Sequence, residues 1–307
     1  NPANAQIVRQ VSVGGIAQSV ATAGDFAYVT VAPKLAGRAF ALAKVDLAVG
    51  VLLESLPSSK TLDDVAVAGD QIYLLTRSAL EIYGEANGPL RLVGAVPLPG
   101  NVSPGEEGRR LFVGGDLAFV GYLGGYLAIN VSNPTQPVIG GAPPAVQLTL
   151  RDTTANGSGL IVATTGPNPP NAGQVALYDA SQPGDVTKFL TLFDTPGEAL
   201  AITIHNGLAY IADNAAGIQV VNYVAFDNKG VAPTLSLVTS ASGGVTDVSR
   251  PLRMTAKATD DVQVRHVEFY VDGAEVFAGG SFPFEQRFLA PAPTPTRTSI
   301  KVRARAV

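Results

Sequence analysis

Short apolar runs, separated by Gly, Pro, Asn and Asp, follow one another along the whole chain. Residues 115–130, "GDLAFVGYLGGYLAIN", show the pattern, since each run is rich in Val, Ile, Leu, Tyr or Phe and stops at a turn-forming pair. Runs of this kind predict β-strands, and we find no stretch with the spacing of an amphipathic helix. The pattern therefore predicts an all-β protein.

A turn and the strand that follows it recur five times, with equivalent positions 42 to 49 residues apart. The copies begin at Gly24, Gly69, Gly115, Gly157 and Asn206. An apolar run precedes each turn, and a third run follows, with a fourth in all but the last copy. Gly and Asn accept the positive φ of a tight hairpin turn. Four antiparallel strands at this period indicate a β-propeller, and we predict five blades.

The first residues bear on how such a ring would close. Residues 6–13, "QIVRQVSV", have the pattern of a fourth blade strand without the first three, whereas the last repeat, residues 199–223, contains three strands. We predict that the N-terminal strand closes the last blade, which would remove two exposed sheet edges. The alternative is that the sequence starts inside a longer series, with further blades before residue 1.

The pattern changes near residue 232. In residues 267–271, "VEFYV", apolar and polar side chains alternate, as in a strand with one buried face. The Asp272-Gly273 pair that follows favours a hairpin turn. We therefore predict two domains, a β-propeller in residues 1–231 and an Ig-like β-sandwich in residues 232–307.

Composition narrows the classes of protein that fit this fold. The chain has no Cys, which excludes disulfides and a thiol nucleophile. No apolar stretch is long enough for a membrane span, and no signal peptide is visible in the first residues, although a mature or excised chain would look the same. The net charge is −4 and the large domain is mildly acidic, which argues against nucleic acid as a partner.

One repeat carries a family resemblance. Residues 115–141, "GDLAFVGYLGGYLAINVSNPTQPVIGG", resemble the bacterial LVIVD repeat, and residues 175–181 and 217–222 resemble its central strand less fully. The resemblance covers about residues 1–225. It implies a propeller and an extracytoplasmic setting, and the family has no general catalytic motif to transfer.

The second domain carries another resemblance. Residues 258–276, "ATDDVQVRHVEFYVDGAEV", are similar to the bacterial Ig-like modules of surface proteins, and the similarity covers residues 233–307. Such modules usually continue beyond the strand that corresponds to "VRARAV". The resemblance therefore implies a module that is incomplete at its C-terminal end, or one that takes its missing strand from a neighbouring subunit.

One set of charged residues is a candidate ligand site. Alignment of the repeats places these residues at the starts of innermost strands, which ring one mouth of the central channel in a propeller. The candidates are Asp63, Asp64, Arg109, Arg110, Arg151 and Asp152. Converging acids and arginines can hold a polar or anionic ligand. The alternative is a solvated ring of ion pairs that neutralise each other.

The remaining candidates are weaker. His205 and His266 fall in different domains and have no metal-ligand spacing, so we interpret both as ordinary turn or surface residues. Asp260 and Asp261 are weak candidates for a calcium site, because carboxylates are hard-ion ligands, and a turn-forming Asp pair is the alternative. We predict no catalytic residue and no cofactor other than calcium.

These observations favour a non-enzymatic extracellular or cell-surface modular protein, with a role in binding or adhesion or as a structural subunit of a surface assembly. Its expected partners are other protein subunits or surface polymers. The competing hypothesis is a propeller enzyme, a hydrolase or lyase, that acts at the channel mouth. A third hypothesis is self-association by strand exchange, which the isolated first strand and the unfinished Ig-like module suggest.

Overall fold

The computed structural model describes most of the chain. The described residues are 6–7, 9–84, 89–99, 109–122, 125–141, 148, 150–165, 173–225, 227–241, 243–248, 251–296 and 298–307. Within them the regular structure is β-strand, apart from one short 3₁₀ turn at Asn214–Ala216. The fold is therefore all-β, as the apolar pattern predicts. Contacts group the chain into two compact units, residues 1–111 with 133–138, and residues 112–132 with 139–307.

Four sheets contain four antiparallel strands in chain order, as expected for propeller blades. The first sheet is β1 (Ile16–Ala23), β2 (Phe26–Ala32), β3 (Phe40–Asp46) and β4 (Val51–Ser58). The second is β5 (Leu62–Ala68), β6 (Gln71–Thr76), β7 (Ala79–Gly84) and β8 (Arg91–Pro97). The third is β9 (Leu111–Gly114), β10 (Leu117–Tyr122), β11 (Gly125–Asn130) and β12 (Val138–Gly141).

The fourth and fifth sheets continue the series with one difference. The fourth is β13 (Leu150–Ala155), β14 (Leu160–Thr165), β15 (Gln174–Asp179) and β16 (Phe189–Asp194). The fifth has three strands among the described residues, β17 (Ala201–His205), β18 (Leu208–Ala212) and β19 (Ile218–Val221). The predicted five-sheet series is confirmed.

The predicted hairpin turns lie between the first two strands of each sheet. Ala68 of β5 pairs with Gln71 of β6, so that Gly69 and Asp70 alone form the loop. Gly69 has a φ of 60°, the left-handed conformation that a two-residue hairpin requires. Asn206 at the fifth turn has a φ of 49°, which Asn accepts more readily than most side chains do.

Consecutive sheets bury their apolar faces against each other within each unit. Tyr28 and Leu42 of the first sheet share a buried cluster with Val65 of the second. In the other unit, Val175 of the fourth sheet shares one with Ile202 of the fifth. Each sheet is too thin to form a core alone, so this face-to-face packing supplies the apolar burial that stabilises the series.

The N-terminal segment differs from the prediction. Among residues 6, 7 and 9–13, none belongs to a strand, and the predicted closing strand of the last blade is not formed. The segment instead lies against the first sheet. The Arg9 guanidinium donates a 2.9 Å hydrogen bond to the carbonyl of Ala48, and Val13 packs beside Val29 and Val31. These contacts replace the ladder that the closing strand would have made.

The C-terminal part forms two three-stranded sheets. One is β20 (Thr234–Thr239), β21 (Pro251–Thr259) and β24 (Phe284–Leu289), and the other is β23 (Ala274–Gly279), β22 (Val267–Val271) and β25 (Val302–Ala306). Val267, Phe269 and Val271 are buried, and their alternation with outward side chains is confirmed. The predicted boundary at residues 231 and 232 falls in the segment between β19 and β20, where the described residues have no regular structure, and it stays a prediction.

Candidate functional site

Four of the six charged candidates lie at a recurring irregularity of the innermost strands, namely Asp63, Asp64, Arg151 and Asp152. The pairing register shifts between Ala17 and Ser19 in β1, between Leu62 and Asp64 in β5, and between Leu150 and Asp152 in β13. The residue inside each shift is an extra one, as in a β-bulge. A bulge changes the direction of side chains at a strand end, so neighbouring candidates point different ways.

Asp64, the residue after the bulge in β5, is buried and joins three parts of the chain. Its Oδ1 accepts a 2.9 Å hydrogen bond from the amide of Val65 and another from the hydroxyl of Ser19 in the first sheet. Its Oδ2 accepts a 2.9 Å hydrogen bond from the amide of Leu111, the first residue of β9. The carboxylate is therefore a structural acceptor between strands that begin different sheets.

Asp152 repeats this arrangement in the other unit. Its Oδ1 accepts from the amide of Thr153 at 3.0 Å, and its Oδ2 accepts from the amide of Ile202 in β17 at 2.9 Å. Its own amide donates to the hydroxyl of Thr164 at 3.1 Å. Asp64 and Asp152 thus use both carboxylate oxygens in the same way, and we call these two residues the aspartate clamps.

Asp63, inside the bulge of β5, points to a different set of partners. Arg77 donates a hydrogen bond of 3.2 Å to its Oδ1. Burial raises the pKa of the Asp63 carboxyl above its ordinary value, while the charges of Arg77 and Arg109 and their hydrogen bonds oppose the rise. Arg109 is buried, whereas Arg110 beside it is exposed. Asp63, Asp64 and Arg109 are therefore brought together within the first unit.

Arg151, inside the bulge of β13, pairs with a residue that the sequence did not single out. Its Nη1 lies 2.9 Å from Oε1 of Glu198, and Oε2 of Glu198 accepts a 3.2 Å hydrogen bond from Asn214. Arg151 and Asp152 therefore form a second group, within the second unit. Arg77 and Glu198 gave no repeat signal, because neither occupies the aligned start of an innermost strand.

The Ig-like module docks on the hairpin turns of the third, fourth and fifth sheets, which belong to the same unit. Phe282, in the loop between β23 and β24, places its ring 6.2 Å from that of Phe112. A Cβ at Gly114 or Gly157 would overlap the Phe282 ring, so only glycine leaves room for it at these two places. We call residues 280–283 the docking loop.

Polar contacts surround the ring of Phe282. The hydroxyl of Ser281 donates to the carbonyl of Ile204 at 2.9 Å and lies 3.1 Å from Nδ1 of His205. The amide of Asn206 donates to the carbonyl of Gly280 at 2.8 Å. His205 is the last residue of β17, directly before the fifth turn, and it contacts the docking loop.

Two further ties join the module to the same turns. Lys257 of β21 lies 3.2 Å from the carboxylate of Asp116, and both side chains are largely exposed. The amide of Asp260 donates a 3.2 Å hydrogen bond to the hydroxyl of Ser158. Together with the docking loop, these contacts reach three successive turns of the repeat series.

The calcium candidates have protein partners. Oδ2 of Asp260 accepts hydrogen bonds from the amides of Val262 and Gln263, at 3.0 and 3.1 Å, as a turn-forming aspartate does. Asp261 lies 3.1 Å from the ammonium of Lys229. Among the residues described, no group of three or more His, Cys, Asp and Glu side chains could hold a metal ion. His266, the other histidine, lies 3.6 Å from Glu268.

A cavity of about 340 Å³ lies beside the docking loop. Its walls include Leu117, Phe119, Leu160 and Phe282, and its hydroxyl groups come from Ser158, Ser181 and Thr259. The lining is mostly apolar and carries no charged side chain.

Over the described residues, no helix has the length and apolarity needed to span a bilayer.

Comparisons with family models agree with the two resemblances in the sequence. Residues 14–35 and 107–142 match the LVIVD repeat, and residues 233–302 match the bacterial Ig domain. The chain carries LVIVD repeats and a bacterial Ig domain. The fold is accordingly a β-propeller type of repeat followed by an Ig-like β-sandwich, and the chain is a modular protein with a domain typical of bacterial surfaces.

Solved structures with the same fold lie at low sequence identity. A protein from Lactobacillus plantarum is 15% identical over 91% of this chain and 90% of its own, with a TM-score of 0.53. A functionally unknown protein from Desulfotomaculum acetoxidans is 12% identical over 88% of this chain and 74% of its own, with a TM-score of 0.50. At this identity the likeness concerns the fold alone. No curated protein sequence matches the chain.

Proposed function

We propose that this chain is a non-enzymatic extracellular or cell-surface protein that acts as a structural or binding subunit of a surface assembly. The observation that carries the proposal is the docking of the Ig-like module on three repeat turns through Phe282 and its polar surround. A module fixed in this way holds the sheets and the sandwich of the second unit in one orientation. Fixed orientation serves presentation of a surface to a partner.

The charged residues support the same proposal. Both oxygens of each aspartate clamp accept backbone amides, and Arg151 pairs with Glu198. Groups engaged in this way hold strands together, and a nucleophile or general base would need a free lone pair directed at substrate. The leading role of these residues is therefore to stabilise the repeat series.

The partners we propose are other protein subunits or surface polymers. Self-association by strand exchange stays a prediction, and β19 offers a place for it, since it is the edge of a three-stranded sheet in the described part of the chain.

Treatment of intact cells of the native host with protease tests the location. The proposal expects the chain to be cleaved on intact cells, while a cytoplasmic marker protein in the same cells stays whole. Protection of the chain until the cells are lysed would contradict a surface role. A blot that detects the Ig-like module separately shows which part is accessible.

A second candidate is a site for a polar or anionic ligand at the strand starts of the first unit, which a propeller hydrolase or lyase would also use. It is favoured by the raised pKa of Asp63 and by the exposed Arg110 beside the buried Arg109. Calorimetry with phosphate, sulfate and anionic glycans tests it in wild type, in Arg110→Ala and in Arg38→Ala, an exposed arginine between β2 and β3. Binding lost only in Arg110→Ala supports this site, and equal results in all three exclude it.

A further inference from the structure

The fourth repeat turn differs from the other four in length and in sequence. β13 ends at Ala155 and β14 begins at Leu160, so four residues form this turn, whereas two residues separate the first two strands of every other sheet in the series. Its sequence is "NGSG", and Gly157 and Gly159 have φ values of 78° and 93°. A Cβ at Gly159 would also lie only 3.2 Å from that of Ser181. The two glycines therefore permit a wider turn at this place.

The wider turn forms one wall of the cavity of about 340 Å³ beside the docking loop. Ser158 and Leu160 line it from the fourth sheet, and Phe119 lines it from the third. Phe282 of the docking loop lies on the opposite wall, and all these residues belong to one compact unit. Ligand sites typically measure about 300 to 1,000 Å³, and a cavity of about 150 Å³ holds benzene. This cavity therefore has room for a molecule of two fused rings.

The wall is neutral where the equivalent turns are charged. Ser158 aligns with Asp25, Asp70 and Asp116 of the first three repeats. Among the described residues that line the cavity, none has a charged side chain. A charge that enters apolar surroundings without a partner loses its hydration at a large cost in free energy. The cavity therefore favours an uncharged ligand.

The hydroxyl of Ser158 supplies a hydrogen-bond donor. Its oxygen accepts a 3.2 Å hydrogen bond from the amide of Asp260, and its own hydrogen has no acceptor within the described part of the chain. The other two hydroxyls of the wall have partners. Ser181 bonds to the carboxylate of Asp179, and the hydroxyl of Thr259 lies 2.8 Å from that of another threonine. Ser158 is thus the group that can donate to a ligand.

We propose that this cavity binds an uncharged molecule with an apolar body of about two fused rings and one hydrogen-bond acceptor. The apolar body packs between Phe119 and Phe282, and the acceptor receives the hydrogen of Ser158. Such a ligand contacts both the repeats and the Ig-like module, so its binding stabilises the docked module. The proposal goes beyond the surface role, and either holds or fails without the other.

Fluorescence titration with prodan tests the site. Prodan is an uncharged naphthalene ketone whose emission moves to shorter wavelengths in apolar surroundings. The complete chain is expected to bind one molecule saturably, with blue-shifted emission. Naphthoate should displace prodan at least about 10-fold less well than methyl naphthyl ketone, because its charge would lose hydration. Lack of saturable binding, or equal displacement by the two compounds, overturns the proposal.

A variant that fills the cavity locates the bound probe. Ala180→Leu adds three carbons to the wall and should weaken prodan binding by at least about 10-fold, because the added side chain occupies the space of the ligand. Ala95→Leu, at an exposed position of β8, is the matched control and should bind like wild type. Equal binding by wild type and Ala180→Leu would mean an adventitious additive only and would overturn the site. Circular dichroism checks that each variant folds.

Variants of Ser158 test the hydrogen bond. Ser158→Ala should weaken prodan binding by about 5-fold and leave the binding of naphthalene, which has no acceptor, unchanged. A loss for both compounds, or for neither, overturns the assigned donor. Ser158→Asp places a carboxylate in front of the acceptor and should weaken prodan binding by at least about 10-fold. This variant tests the site even where Ala180→Leu does not fold, and binding at wild-type strength would contradict the proposal.

Discussion

Two kinds of contact stabilise this molecule: buried hydrogen bonds between sheets, and the packing of an aromatic ring against glycines. Within the repeats, Asp64 and Asp152 join strands of different sheets through directional hydrogen bonds from backbone amides. At the Ig-like module, Phe282 fills a space that exists because Gly114 and Gly157 lack side chains. The hydrogen bonds of the aspartate clamps fix where the strands begin relative to each other. The packing of Phe282 depends on how well its ring fits the space beside the glycines. A buried hydrogen-bonded contact loses its stabilising effect when the acceptor is removed. A packed aromatic ring loses it when side-chain volume is removed or added.

The largest effect is expected at the aspartate clamps. Asp64→Ala leaves the amides of Val65 and Leu111 and the hydroxyl of Ser19 without their acceptor, and should lower the free energy of unfolding by about 4 kcal/mol. Asp64→Asn keeps one acceptor oxygen and should lose about half as much. Urea denaturation followed by circular dichroism measures both. A loss below about 1 kcal/mol in Asp64→Ala would show that the clamp has little weight.

The second largest effect is expected at Phe282. Phe282→Ala removes a partly buried ring from the space beside Gly114 and Gly157, and should cost about 3 kcal/mol. Limited proteolysis should then cut between β19 and β20 faster than in wild type, because the docking loop no longer holds the module. Phe277→Ala, at a more exposed ring on β23, is the control and should leave this cleavage rate unchanged. Equal cleavage of wild type and Phe282→Ala would contradict the docking role.

A pH experiment tests the raised pKa of Asp63. Since its pKa is raised in the folded state, the folded chain holds this proton at a pH where the unfolded chain has released it. The contribution of Asp63 to stability is therefore greatest below its ordinary pKa of 3.8 and falls as pH rises through the folded value. Asp63→Asn cannot ionise, so its stability relative to wild type should increase from acidic to neutral pH. A constant difference between the two proteins would contradict the raised pKa.

The smallest effect is expected at the exposed tie between the module and the third sheet. Lys257→Ala removes a 3.2 Å ion pair with Asp116 in which both side chains are more than half exposed, and should cost at most about 0.5 kcal/mol. The loss should shrink further in high salt. A larger effect that persists in salt would mean that Lys257 acts through packing of its methylene groups.

Much of the fold followed from the sequence because the repeats are local. Gly69-Asp70 and the apolar runs on either side are enough to predict a hairpin, and five copies at one period predict the series of sheets. The closing strand was wrong for a physical reason. The pattern of residues 6–13 fits a strand, but Arg9 and Val13 contact the first sheet instead. An apolar pattern does not specify which part of the protein a segment will contact.

The sequence predicted where the candidate site residues lie, but it did not predict their hydrogen-bond partners. Alignment placed Asp64 and Asp152 at equivalent strand starts, and their common hydrogen bonding explains why the same residue type stands at both. Their partners are backbone amides of other sheets, which carry no residue-type signal. Phe282 was missed for a related reason. A Phe in a loop has no periodic context, and of the two glycines that receive it, Gly157 already has a turn function and Gly114 is the last residue of a strand.

The docking loop also determines how mechanical load crosses the second unit. A pull on the Ig-like module reaches the sheets through Asn206 and Ile204 at one turn, through Phe282 at two more, and along the chain between β19 and β20. These routes act in parallel, so the force on any one of them is a fraction of the total. The covalent connection therefore carries the whole load only after the contacts of Phe282 and the hydrogen bonds of the docking loop have broken.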